Sequence, residues 1–175
     1  MMLQHLKESS ASILDGFECG VPKMDTFIHE SLDDFLKNDP RYSFYVAKEE
    51  GQDIVAMYII SRGIFVDHDE EFDDIPFGKP WGYMGKDLKM HSGMMYPTLE
   101  IDYLAVRKDL REKGYGSNIV AELSRIAHAN GCFFLTVDAY HDAEYSAIPF
   151  YEKCGFFALQ ELSDDYDSLR MARRV

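Results

Sequence analysis

Four basic side chains and two glycines crowd into one short stretch, Arg107-Lys108-Asp-Leu-Arg111-Glu-Lys113-Gly114-Tyr-Gly116-Ser117. Glycine lets a backbone approach a ligand closely and take dihedrals closed to other residues. A helix that starts directly after such glycines adds first-turn N–H groups with no internal partner and a partial positive charge. Those parts together could wrap a phosphate or diphosphate in backbone donors, with cations around it. The spacing is not that of a loop ending in Gly-Lys-Ser/Thr, nor Gly-x-Gly-x-x-Gly. What is present is Arg111-x-x-Gly114-x-Gly116. The same spacing also suits a strand–helix connection that binds nothing, so the flanking elements must decide.

Before the loop, Leu99, Ile101, Tyr103 and Ala105 alternate with Glu100, Asp102, Leu104 and Val106, the period of a pleated strand. After it, Ile119, Val120, Leu123, Ile126 and Ala127 recur at helical spacing, and Gly131 stops the helix. Cys132 to Asp138 reads as a buried strand, so strand, helix and strand imply a parallel pair with a crossover. A short helix over Ala147–Cys154 tolerates Pro149 near its start, and Gly155 ends it. Phe156–Leu159 and Ser168–Arg173 are closing strands, expected to pair antiparallel.

Upstream, residues 12–17 are a short apolar start. A helix from about Pro22 carries Met24, Phe27, Ile28, Phe35 and Leu36 as its apolar stripe and ends at Asn38-Asp39-Pro40. Strands over Tyr42–Lys48 and Ile54–Phe65 flank a hairpin turn at Glu49-Glu50-Gly51-Gln52. Residues 66–97 read as an irregular insertion, broken by Pro76, Gly78, Pro80, Gly82, Gly85 and Gly93.

The 175 residues suit a single domain over 1–175. No apolar run is long enough to span a bilayer, and the N-terminus lacks the apolar core of a signal peptide. Cys19, Cys132 and Cys154 match no disulfide or zinc spacing, which fits a reducing cytoplasm. His68, His91 and His141 lie near acidic residues but not at ligand spacing on a regular element, so no metal site is expected. The net charge of −13 argues against general affinity for nucleic acid and favours cationic partners; it equally serves solubility.

Three stretches resemble the Gcn5-related N-acetyltransferase family. They are Leu104-Ala-Val106 leading into Arg111-x-x-Gly114-x-Gly116, the strand at Phe133–Val137, and Ala147-Ile-x-Phe-Tyr-x-Lys-x-Gly155-Phe156. The resemblance runs from about residue 12 to the C-terminus. It implies an α/β (α+β) fold: a mixed, mostly antiparallel sheet flanked by helices, with a parallel pair at the cofactor site. It also implies acetyl transfer from acetyl-coenzyme A to a primary amine by direct attack. Phe17-x-Cys-Gly20 followed by Met24-Asp-x-Phe-Ile28 is similar to a subgroup that includes toxins of toxin–antitoxin pairs, which acetylate aminoacyl-tRNA.

The resemblance implies roles for residues. The diphosphate would meet Arg111, Glu112, Lys113, Gly114, Tyr115, Gly116 and Ser117, and the pantetheine arm would meet the backbone of Leu104, Ala105 and Val106. Glu100 aligns with the catalytic glutamate of histone-acetylating members and is the candidate base, with Asp102 in reserve; a solvent-facing strand glutamate remains the alternative. Tyr151 matches the helix tyrosine that protonates the leaving thiolate; the alternative is a packing aromatic. Many members carry asparagine where this chain has Glu144. The acceptor is expected to be a small cationic amine or a protein amino group, drawn by the acidic run at 67–74. An aminoacyl-tRNA, an antitoxin partner, a homodimer and a non-catalytic coenzyme A-binding module stay open as alternatives.

Overall fold

The computed structural model describes residues 3–51, 53–66, 95–163 and 166–175. The acidic run at 67–74, His68, His91 and nearly all of the predicted insertion therefore lie outside the described residues. In chain order the elements are β1 (Leu3–Glu8), a 3-10 turn (Ala11–Leu14), α1 (Pro22–Thr26), a π-helical turn (Phe27–Ser31) and α2 (Leu32–Asn38). Then come β2 (Ser43–Glu49), β3 (Ile54–Val66), β4 (Met95–Val106), a 3-10 turn (Lys108–Leu110) and α3 (Tyr115–Ala129). β5 (Phe134–Tyr140), α4 (Ile148–Lys153), β6 (Phe157–Ala158) and β7 (Ser168–Arg174) complete the chain. The strands form one sheet in the order β1-β2-β3-β4-β5-β7-β6. Pairing is mostly antiparallel, with β4 and β5 as the one parallel pair, as the strand–helix–strand order requires.

The chain divides into two compact units, the first comprising Met1–Ser61 and Ile101–Glu122. Here β1 pairs with β2, and β2 with β3, all antiparallel. The strand β1 has no counterpart in the sequence reading. Leu-Gln-His-Leu-Lys-Glu does not alternate cleanly, because an edge strand buries little of either face. Residues Ile54 to Ile60 are buried without a break, the mark of a strand covered on both faces.

The helix expected from Pro22 to Asn38 forms, but its middle widens into a π-turn. The Leu32 N–H reaches back to Phe27 O there. The wider turn shifts the stripe, so that Ile28 and Leu32 are the buried pair, and Leu32 was not among the expected stripe residues. Phe27 stacks on Tyr103 of β4 with ring centroids 4.1 Å apart, and Phe35 meets the same ring edge-on at 5.6 Å.

The second unit comprises Arg62–Glu100 and Leu123–Val175. β5 pairs with β7 along its full length, Phe134↔Arg174 through Tyr140↔Ser168, and β6 adds to β7. Gly131 ends α3 at φ 72, with the Cys132 N–H donating to Ala127 O at 3.0 Å. The strand expected from Cys132 starts later, at Phe134, because Cys132 and Phe133 still complete the turn; the Phe133 N–H donates to Pro97 O. Tyr96, Phe134 and Ala172 form an apolar cluster flanked by Phe133, Phe157 and Leu159.

Candidate active site

The nucleotide-type loop lies in the first unit. Along β4, Leu99, Ile101 and Ala105 are buried and Glu100, Asp102, Leu104 and Val106 half-buried, as the alternation expects; Tyr103, expected on the buried face, is half-buried, stacked on Phe27. The chain then leaves the sheet by changing partners. The Arg107 N–H still donates to Val55 O of β3 at 2.9 Å, but the Lys108 N–H donates to Glu18 O at 2.8 Å. Leu110 N–H closes the 3-10 turn on Arg107 O.

Two residues then enter the left-handed region, Glu112 at φ 62 and Gly114 at φ 86. Glycine takes that conformation at no steric cost, whereas glutamate is strained there. Such strain persists where the surroundings dictate it and collects at ligand-binding turns. Alternating backbone handedness turns successive N–H groups toward one concavity, which suits an anion. α3 starts at Tyr115, and Asn118 N–H to Gly114 O is a bond of its first turn. The start of the helix adds its partial positive charge at the same place. The Tyr115 hydroxyl donates to Glu49 Oε2 at 2.5 Å and pins the start of the helix to β2. Glu112, Lys113, Gly114 and Ser117 are exposed, Arg111 is half-buried, and Tyr115 and Gly116 are buried. The positive-φ turns and the helix start are features that suit an anion such as a diphosphate. Not every expected cation serves it, since Arg107 is held by Asp109 at 2.7 Å.

Glu100 belongs to the second unit, where it is one member of a charged row. Its Oε1 accepts from Arg170 Nη1 at 2.5 Å, and the same nitrogen lies 3.3 Å from Asp138 Oδ2. Asp138 and Arg170 are direct cross-strand partners in the β5–β7 register. Arg170 is thus counterion to two carboxylates, and Oε2 is the Glu100 oxygen not taken by it. A Cβ on Gly63 would fall 2.9 Å from that Oε2 and 2.7 Å from Thr98 Oγ1, so only glycine keeps this space. Thr98 and Thr136 are buried, with no hydrogen-bond partner for either hydroxyl among the described residues. The reserve base, Asp102 in the first unit, accepts from Ser61 Oγ at 3.1 Å.

Tyr151, also in the second unit, owes its placement to the sequence that follows it. Gly155 sits at φ 83, its N–H donates to Glu152 O, and the Phe156 N–H donates to Tyr151 O at 3.0 Å. This is the paired C-terminal cap that a glycine after a helix produces, and its usual apolar contact is the Tyr151–Phe156 ring pair at 5.2 Å. The Phe150 ring also meets the Tyr151 ring edge-on, with centroids 5.0 Å apart, and Tyr151 is only 5 % exposed. Burial, with Tyr145 and Cys154 adding to it, pushes the phenol above its ordinary value, so it keeps its proton. No hydrogen bond joins Tyr151 to Glu100.

Among the described residues, no group of three or more His, Cys, Asp or Glu side chains could hold a metal ion. All three cysteines are unbridged. Burial raises the Cys19 thiol to about 11, which makes it inert at neutral pH.

A family model for the acetyltransferase (GNAT) family matches residues 13–156. The chain belongs to this family. As a GNAT protein it is an acyl-coenzyme A-dependent N-acetyltransferase, with acetyl-coenzyme A as acyl donor. No curated protein matches the GNAT chain at a significant level. Solved structures do. A bacterial toxin is similar at 14 % identity and TM-score 0.65, covering 99 % of this chain and 90 % of that one. The KacTA–DNA complex matches at 20 % identity and TM-score 0.60, with 99 % and 93 % covered. AtaT complexed with acetyl-methionyl-tRNAfMet matches at 19 % identity and TM-score 0.63, with 97 % and 94 % covered. At these identities the likeness is one of fold. Among the described residues no helix is long and apolar enough to cross a membrane.

Sequence reasoning missed Arg170, Asp138 and Gly63. A glycine inside a β-strand marks a close approach, which is the signal that Gly63 carried. Arg170 and Asp138 carried none, because their meeting depends on strand order.

Proposed function

We propose that this acetyltransferase acts on a primary amine, a small cationic amine or a protein amino group, by direct attack. The observation that carries the coenzyme side is the left-handed pair Glu112 and Gly114 running into the first turn of α3. In this reading the N–H groups from Arg111 to Ser117 hold the diphosphate, and the backbone of Leu104, Ala105 and Val106 lies along the pantetheine arm as an added strand would. Bound acetyl-coenzyme A supplies an activated acetyl thioester. Glu100, through Oε2, accepts the proton the amine must lose, with Asp102 as the reserve. Tyr151 holds a proton on its hydroxyl and donates it to the leaving sulfur. For a cationic acceptor the support is charge: the net −13, and the pair Glu100 and Asp138 sharing the single guanidinium of Arg170.

A second reading is favoured by two specific observations. The Phe17–Ile28 segment is similar to toxin-type members, and one fold neighbour is AtaT bound to acetyl-methionyl-tRNAfMet. The acceptor would then be the amino group of an aminoacyl-tRNA, and an antitoxin a partner. An acetyl-transfer screen with amines, basic peptides and charged tRNA at physiological salt separates the two. Amine or peptide turnover that weakens in KM as salt rises supports the first reading. Acetylation of charged tRNA with no amine or peptide turnover rejects it in favour of the second.

A further inference from the structure

The turn from Phe17 to Gly20 touches the coenzyme loop, and the proposed function gives it no task. Lys108, the first residue of the loop's 3-10 turn, takes its backbone partner from this turn, donating to Glu18 O at 2.8 Å. The turn is held in turn by one carboxylate of α1. Asp25 Oδ1 accepts from Cys19 N–H at 2.7 Å, and Oδ2 accepts from Gly20 N–H at 2.9 Å. A ring nitrogen of His29 lies 2.9 Å from Phe17 O. Gly20 sits at φ 78, and a Cβ there would lie 2.9 Å from Lys108 Cδ and 3.0 Å from Cγ. The turn therefore needs glycine twice, once for its dihedral and once because the Lys108 stem lies across it. Two N–H bonds to one ionised carboxylate are stronger than neutral ones. Burial pushes the Asp25 carboxyl up, but the donors on Cys19 and Gly20 outweigh it and hold it below its ordinary value.

We propose that Asp25 and Gly20 are positioning residues for coenzyme binding, acting through Glu18 and Lys108 to fix the backbone that meets the diphosphate. Asp25 sets the turn, the turn sets Lys108, and Lys108 sets where Arg111 to Ser117 begin. This rests on the reading of Arg111–Ser117 as the diphosphate site, and it explains why Phe-x-Cys-Gly and the aspartate five residues after the glycine occur together in this chain.

The first test uses the unaltered chain. Hydrogen exchange is followed with and without coenzyme A. Binding should slow exchange at Cys19 and Gly20 as well as in the loop, because coupling between two sites is reciprocal. Protection of the loop with none at Cys19 and Gly20 overturns this inference alone; no protection of the loop overturns the diphosphate site itself. The second test is Asp25→Asn, measured by calorimetry. Losing one charge-assisted acceptor should raise the Kd of coenzyme A about tenfold. The kcat/KM for S-acetylpantetheine, which has no diphosphate to place, should change much less. Equal loss with both donors, or no loss with either, refutes the positioning role.

Discussion

Replacing Tyr151 by Phe separates chemistry from packing, because turnover is expected to fall while stability does not. The phenol is 5 % exposed and makes no hydrogen bond with any described residue, while its ring is clasped by Phe150 and Phe156. The substitution leaves the ring and removes no hydrogen bond to a described residue. A typical intramolecular bond contributes about 0.5–1.5 kcal/mol, and its loss in a domain of this size lowers Tm by ~2–4 °C per kcal/mol. Tyr151→Phe should therefore show no fall in Tm. Turnover should fall. General-acid contributions are typically ~10²–10⁴-fold in rate, or roughly 3–5 kcal/mol of barrier. The loss should appear in kcat, with coenzyme affinity by calorimetry nearly unchanged. The sign of the phenol's shift adds a pH test. Its pKa is raised above the ordinary 10.0, so the protonated form survives through pH 10, and kcat/KM of the parent should show no falling limb from Tyr151 well below that pH. Thermal melts and steady-state kinetics on the two proteins suffice. A kcat within about twofold of the parent, set against that range, would refute the acid role. A lower Tm with kcat preserved would make the hydroxyl structural.

Two further substitutions probe the rest of the site. Gly116→Glu puts a carboxylate into the buried start of α3, and calorimetry should show coenzyme A affinity collapsing while the melt stays cooperative; unchanged affinity in a folded variant removes the loop from the site. Gly63→Ala forces a methyl to within 2.7 Å of Thr98 Oγ1 and 2.9 Å of Glu100 Oε2, and such overpacking costs about 1–3 kcal/mol. Adding Thr98→Ala removes the closer atom and should recover part of that loss in denaturant melts; additive losses would show that the two residues do not meet.

Much of this protein was written in patterns a few residues long. The alternation from Leu99 to Val106 follows from the pleat. The ends of α3 and α4 follow from Gly131 and Gly155, which supply the positive φ that closes those caps. Tyr151 is buried where it is because Gly-Phe follows its helix, so that Phe156 must fold back on it. The strand–loop–helix around Gly114 and Gly116 was legible for the same reason, and so was the family. Local dihedral preference and period act within one turn or one strand and need no knowledge of the rest of the chain.

What the sequence could not show is who meets whom across the sheet. Glu100, Asp138 and Arg170 come from three strands, and one charged row arises only because β5 lies between β4 and β7. Arg107 reads as a phosphate cation until the turn after β4 hands it to Asp109. Gly63 looks like a weak point in a strand until Thr98 and Glu100 close over it. β1 is strand only because β2 offers it an edge, and the π-turn at Phe27–Ser31 shifts a stripe that an unbroken α-helix would have presented differently. Each of these depends on strand order, register or packing between residues far apart in the chain, and those are settled only when the whole core closes.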